Sequence, residues 1–257
     1  MTDELLLASL PDWAFGFAIV LSRVSAAIMV LPGFGESDAP MVVRAGLALA
    51  ITGLILPGVE TLIPHIGEQP LRLLAVVGGE LLVGLLIGWL ARLMALALPI
   101  AGQIAAVQIG LSSVLQPDPE LGSQTSGTSR LLALAGPVLI LSSGLYALPL
   151  GALAGSYRLF PPGTLLPVGD AAQSVAQATE ACFAMSLQLA APLVIAGLVW
   201  QVMLGLLARL VPSLQVYSLA LPGQVLGGLL VFGLVLQRML EGWLASVSTS
   251  FASLPGL

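Results

Sequence analysis

Residues 181–208 read ACFAMSLQLAAPLVIAGLVWQVMLGLLA, with no charged side chain among them. An uncharged apolar run of roughly 18 residues or more reads as a membrane helix, since about 20 residues of helix span the hydrocarbon of a bilayer. Residues 131–157 and 210–237 are likewise free of charge. The strands of a membrane barrel would instead alternate in polarity over short segments, and that alternation is missing. The chain is therefore all-α, with its helices in or against a membrane.

Composition agrees. Of 257 residues, 58% are hydrophobic and 8% charged, whereas a soluble domain is about a quarter charged. The mean hydropathy is +1.04. All eight basic residues are Arg, and thirteen acids leave a net charge of -5. No basic face exists for nucleic acid. The uniform choice of Arg fits either a compositional bias or sites that need its fixed fork of donors. One Cys, Cys182, excludes an internal disulfide, and one His, His65, is too few for a metal or haem site. The opening MTDELLLASLPDW has acids and no base. It lacks the positive start of a signal peptide, so the first apolar segment is expected to be retained.

Six apolar segments follow, at about 13–31, 41–57, 73–109, 131–155, 181–211 and 214–247. The separators are PGFGESDAP (32–40), the polar stretches 58–72 and 111–130, residues 156–180, and a short break at Val211-Pro212-Ser213. Several segments make poor simple spans. The third would be about 55 Å long as one helix, against about 30 Å of hydrocarbon. Pro99, Pro137, Pro149, Pro192 and Pro222 fall inside segments. Each removes a backbone donor and bends its helix. Two readings stand: kinks within a bundle, or broken helices around a pathway. In an alternating topology Arg44, Arg130 and Arg209 lie near one face and Arg72, Arg158 and Arg238 near the other. The positive-inside rule then gives no orientation.

Three features carry possible function. Gly84/Gly88, Gly151/Gly155 and Gly223/Gly227 stand four apart, the spacing at which small residues let helices approach closely. Arg23, Glu80 and Arg92 fall within apolar segments, where an ionised group costs about 2.5–3.5 kcal/mol on insertion scales. Glu80 and Arg92 are 12 residues apart, about 18 Å along one helix. Their partners are expected on other segments or other chains, as structural ion pairs at a protein interface or as part of a substrate or proton pathway. Arg238 and Glu241 can meet on one helical face. Third, the segment from Gly102 to Gly127 places Gln103 and Gln108 in apolar sequence. Gly110 then opens a small stretch, Leu111-Ser112-Ser113-Val114-Leu115-Gln116, closed by Pro117-Asp118-Pro119. Prolines on both sides of Asp118 stiffen the backbone. This stretch reads as an ordinary loop or as a gate. No phosphate loop, HExxH or GxSxG motif is present, so no enzyme is expected.

Taken in order, these residues resemble the FliR family of flagellar export proteins and its injectisome relatives. Pro32, Phe34, Gly35, Pro40 and Arg44 match the family's Pro-x-Phe-Gly, Pro and basic helix start. The stretch 79–119 resembles its Gly-Glu-x(3)-Gly helix followed by a loop ending in Asp-Pro. Arg209, Pro212 and Val216 match its Arg-x(2)-Pro sequence, and GSYRLFPPGTL (155–165) its Ser-Tyr turn. The resemblance covers nearly the whole chain as one membrane domain, 1–257. It implies kinked helical hairpins in a hetero-oligomeric type III export gate, formed with FliP-like and FliQ-like subunits. FlhB-like and FlhA-like proteins associate with that gate, and unfolded flagellar proteins pass through it. It implies a bacterial inner membrane location in the flagellar basal body, contact with lipid, no catalysis and no cofactor. The loop Gly110–Pro119 would help close the pore. The family often has aromatics there, and here closure would rest on Leu111, Val114 and Leu115. Arg23, Arg44, Glu80, Arg92 and Arg209 are expected as charges buried at interfaces. The alternatives are an injectisome gate subunit, a stand-alone secondary transporter of broken helices, or a structural membrane scaffold.

Overall fold

The computed structural model describes residues 3–36, 38–63, 70–110, 126–164, 166–210 and 216–257, with backbone alone over 3–12, 70–71 and 216–219. Among the described residues there are seven α-helices and no strand. They are α1 (Asp3–Val30), α2 (Met41–Val59) with a 3-10 turn Glu60–Leu62, α3 (Pro70–Ile109), α4 (Gly127–Ser142), α5 (Ala147–Leu159), α6 (Val168–Leu210) and α7 (Val216–Ala252). Five helices are long and apolar enough to cross a membrane, or up to six spans when α4 and α5 count as one bent span. The chain is a helical membrane protein.

Two expectations are corrected. The uncharged segment 131–155 is not one helix: α4 and α5 meet at a 69° bend. The cause is Gly144, whose φ of 77° lies in the left-handed region that ends a helix. Just before it, the Ser143 hydroxyl donates to the carbonyl of Leu139 at 2.6 Å. Of the prolines marked in the sequence, only Pro149 lies at the break, in the first turn of α5. Pro57, Pro99, Pro137, Pro192 and Pro222 all lie inside continuous helices. The stretch 156–180 is also not all separator, since α6 starts at Val168. Its first turns, VGDAAQSVAQATE, are rich in Ala and Gln, which favour helix, and Asp170 suits the positive end of the helix dipole. Helix α6 has 43 residues, about 65 Å at ~1.5 Å per residue. Helix α3 has 40, about 60 Å by the same rise. Both exceed about 30 Å of hydrocarbon, so part of each stands outside it.

The chain folds as two compact units. Unit 1 comprises residues 1–94, 137–179 and 248–257. Its core is apolar: Ile19, Val24, Ile28 and Leu31 of α1, Val83 and Ile87 of α3, and Leu153 of α5 are buried. Unit 2 comprises residues 95–136 and 180–247. Leu98 and Ala101 of α3, Leu132 of α4, Leu193 of α6 and Trp243 of α7 are buried there. The Trp243 ring packs against α4, its nearest carbon 3.5 Å from where a Cβ at Gly136 would stand, an ordinary van der Waals distance. Outward faces remain strongly apolar. Val42 and Leu54 of α2, and Leu230 and Leu234 of α7, are more than two-thirds exposed. Such faces suit lipid or protein, not water.

Candidate functional site

The centre of unit 1 is charged. Arg23, on α1, is fully buried, and Glu80, on α3, is 2% exposed. The guanidinium grips the carboxylate with both arms: Nε donates to Oε2 at 2.7 Å and Nη2 to Oε1 at 2.9 Å. This is the fork geometry that only Arg offers. Nη1 donates to the Ser156 hydroxyl at 3.0 Å and Nη2 to the Phe160 carbonyl at 2.8 Å. The Ser156 hydroxyl in turn donates to the Leu153 carbonyl at 2.6 Å. The Tyr157 ring lies against the guanidinium, 4.0 Å from its carbon to the ring centroid, a cation–π contact. One ion pair thus ties α1, α3 and the end of α5.

The backbone makes this possible. Glu80, Gly84 and Gly88 follow at four-residue spacing and so share one face of α3. A Cβ at Gly84 would fall on the carbonyl oxygen of Arg23, and one at Gly88 would stand 2.9 Å from that of Ala27. The two glycines bring α3 against the backbone of α1, close enough for Glu80 to reach Arg23. A buried pair like this is a clasp. Its carboxylate is engaged by the guanidinium and is not placed for acid–base work.

A second pair lies at the turn after α1. Arg92 Nη1 donates to Glu36 Oε1 at 2.5 Å and Nη2 to Oε2 at 3.1 Å, with the two side chains 25% and 24% exposed. The turn itself is shaped by Gly33 and Gly35. A Cβ at Gly35 would strike the Met29 carbonyl. The Phe34 ring meets Tyr146 edge to face at 6.0 Å.

Unit 2 uses neutral groups instead. The Thr128 and Ser129 hydroxyls, in the first turn of α4, donate to the carbonyls of Gly102 at 2.9 Å and Pro99 at 2.8 Å. The Ser126 hydroxyl donates to Gln103 Oε1 at 2.8 Å. Gln224 Nε2, on α7, donates to the Gln108 carbonyl at 3.0 Å. Gly110, which ends α3 with φ 81°, lies beside the same Gln224 amide.

Arg23 and Glu80 partner each other, and Arg92 partners Glu36, all within this chain. Arg44 is half-buried, and its Nε is buried without a hydrogen-bond acceptor among the described residues. Arg209 is exposed near the end of α6. Arg238 and Glu241 form an exposed pair at 3.5 Å. Of the loop, Gly110 is described, whereas Leu111, Ser112, Ser113, Val114, Leu115, Gln116, Pro117, Asp118 and Pro119 lie outside the described residues. Sequence reasoning missed Glu36, Ser126, Thr128 and Ser129, and held Ser156 and Tyr157 only as part of a motif, without a role. The available signal for Glu80 was its register with Gly84 and Gly88.

Fold and clasp define the class: a membrane protein of long apolar helices, anchored by an intrachain arginine–glutamate pair and apolar on its outer faces. Residues 14–250 match the family described as bacterial export proteins, family 1, and the chain belongs to that family. It is 31% identical over 226 residues to flagellar biosynthetic protein FliR of Caulobacter vibrioides, covering 88% of this chain and 90% of that one. The FliR protein of Bacillus subtilis is 29% identical over 217 residues, 83% of each chain. Yop proteins translocation protein T of Yersinia pestis is 30% identical over 209 residues, 80% of each.

Proposed function

We propose that this chain is a subunit of the flagellar type III protein export gate. In this reading it acts as one membrane domain over 1–257 in the bacterial inner membrane, within the flagellar basal body. With FliP-like and FliQ-like subunits it forms the pore through which unfolded flagellar proteins leave, and FlhA-like and FlhB-like proteins associate with it. The observation that carries the reading is the likeness to a flagellar FliR protein along 90% of that protein's length. The exposed apolar faces of α2 and α7 suit packing against further subunits. Loop Gly110–Pro119 helps to close the pore, with Leu111, Val114 and Leu115 as the sealing side chains. Arg44 and Arg209 serve as anchors at subunit contacts.

Deleting the gene should abolish flagellar filaments and the appearance of filament protein outside the cell. Export that continues in the deletion strain would overturn the proposal. Replacing Leu111, Val114 and Leu115 together by Gly should leave the complex assembled while membrane conductance to small ions rises. An assembled complex with unchanged conductance would remove the sealing role. The Yersinia relative keeps a second reading open, an injectisome gate subunit. Loss of swimming with host-directed secretion intact favours the flagellar assignment, and the reverse favours the injectisome.

A further inference from the structure

Between α3, α6 and α7 of unit 2 lies a cavity of about 160 Å³, lined by Ile109, Leu193, Gly227 and three polar residues, Gln108, Trp200 and Gln224, the last already donating to the Gln108 carbonyl. Its walls are mostly apolar, yet Gln108 Oε1 and Trp200 Nε1 are both buried and make no hydrogen bond among the described residues. A buried polar atom left without a partner costs about 1–3 kcal/mol, so two of them on one cavity call for an occupant. The carbonyl oxygen accepts and the indole N–H only donates. A hydroxyl group does both at a single oxygen. The volume fits a small ring or short aliphatic chain, since a cavity of roughly 150 Å³ holds benzene.

We propose that this cavity is a binding site for a small, neutral, largely apolar molecule bearing one hydroxyl group, such as a phenol or short-chain alcohol. The hydroxyl donates to Gln108 Oε1 and accepts from Trp200 Nε1, and the apolar body fills the space beside Gly227 and Val231. The packing around the polar pair is specific. The Gln108 amide sits directly on Gly197, where a Cβ would stand 2.5 Å from Oε1. A Cβ at Gly227, in contrast, meets nothing within 4 Å. Gly227 is therefore the place to fill the site without displacing the pair. The site follows from the cavity and its two polar atoms, and does not depend on the export reading.

The test uses the full-length chain in lipid nanodiscs with 15N-labelled indoles, the Trp200 signal being assigned by its loss in Trp200→Phe. Phenol is expected to shift the Trp200 indole signal saturably, while those of Trp13, Trp89 and Trp243 drift only linearly as phenol enters the lipid. Gly227→Val should abolish the saturable shift. Gln108→Leu should weaken phenol about tenfold, the effect of one hydrogen bond of about 1.4 kcal/mol. Benzene should compete more weakly than phenol. The proposal is overturned if the Trp200 signal drifts linearly like the others, if the saturable shift survives Gly227→Val, or if benzene competes as well as phenol. Should the valine variant fail to fold, Gln108→Leu decides: phenol bound as tightly by that variant as by the unaltered chain overturns the proposal.

Discussion

The two units are fastened by different chemistry. Unit 1 is held at its centre by a full charge pair, Arg23 with Glu80, backed by glycines and capped by Tyr157. Unit 2 is held by hydroxyls and amides reaching backbone carbonyls: Thr128 to Gly102, Ser129 to Pro99 and Gln224 to Gln108. A buried ion pair is close to all-or-none, because removing one partner strands the other charge. Neutral hydrogen bonds are each worth about 0.5–1.5 kcal/mol and can be lost one at a time. A unit fastened by the second kind yields in small steps, which suits the unit containing Gly110, where the proposed pore-closing loop begins.

This contrast can be broken in order of size. Glu80→Ala should cost about 3–5 kcal/mol, because it leaves Arg23 buried and unpaired. Thermal unfolding of the purified chain in detergent measures it, and a loss under about 1 kcal/mol would mean that the clasp does not anchor unit 1. Next, Gly84→Ala should cost about 1–3 kcal/mol through overpacking against the Arg23 carbonyl. Gly46→Ala, whose Cβ meets nothing within 4 Å, should be neutral or stabilising by up to about 1 kcal/mol. Equal behaviour of the two variants in the same melt would mean that α1 and α3 are not held at close approach. Smallest is Ser129→Ala, expected to cost about 0.5–1.5 kcal/mol. Hydrogen exchange at the start of α4 should quicken while amides near Arg23 stay protected. Equal quickening near Arg23 would erase the distinction between the units.

Much of this was legible in residues alone. Long uncharged runs required apolar helices, and Arg23 and Glu80 stood out as charges that needed partners. The sequence did not say that they were each other's partners, because which segments lie side by side is decided by packing between distant elements. The Gly84/Gly88 register pointed to a close helix contact and left its partner, α1, unnamed. Reading the prolines as the places where helices bend was natural and incomplete. Apolar helices run through Pro99, Pro137, Pro192 and Pro222, and the sharp bend centres on Gly144, a residue with no special mark among 29 glycines, with Pro149 in the first turn after it. The start of α6 was hidden for a different reason: VGDAAQSVAQATE is polar enough to resemble a linker, and its helical character lies in Ala and Gln propensity, not in hydrophobicity. The Ser156–Tyr157 cradle was visible only as a motif, since its role depends on where α1 passes.

The clasp also has a history within each molecule's synthesis. Its two halves are 57 positions apart, and a ribosome adds roughly 5–20 residues per second. For about 3–11 s at that rate, α1 carries a cation whose counter-ion does not yet exist. A lone arginine in a membrane helix carries an energetic cost, and that cost is relieved only once α3 brings Glu80. The order of the chain thus leaves α1 less stable until α3 is made, and couples the settling of the two helices.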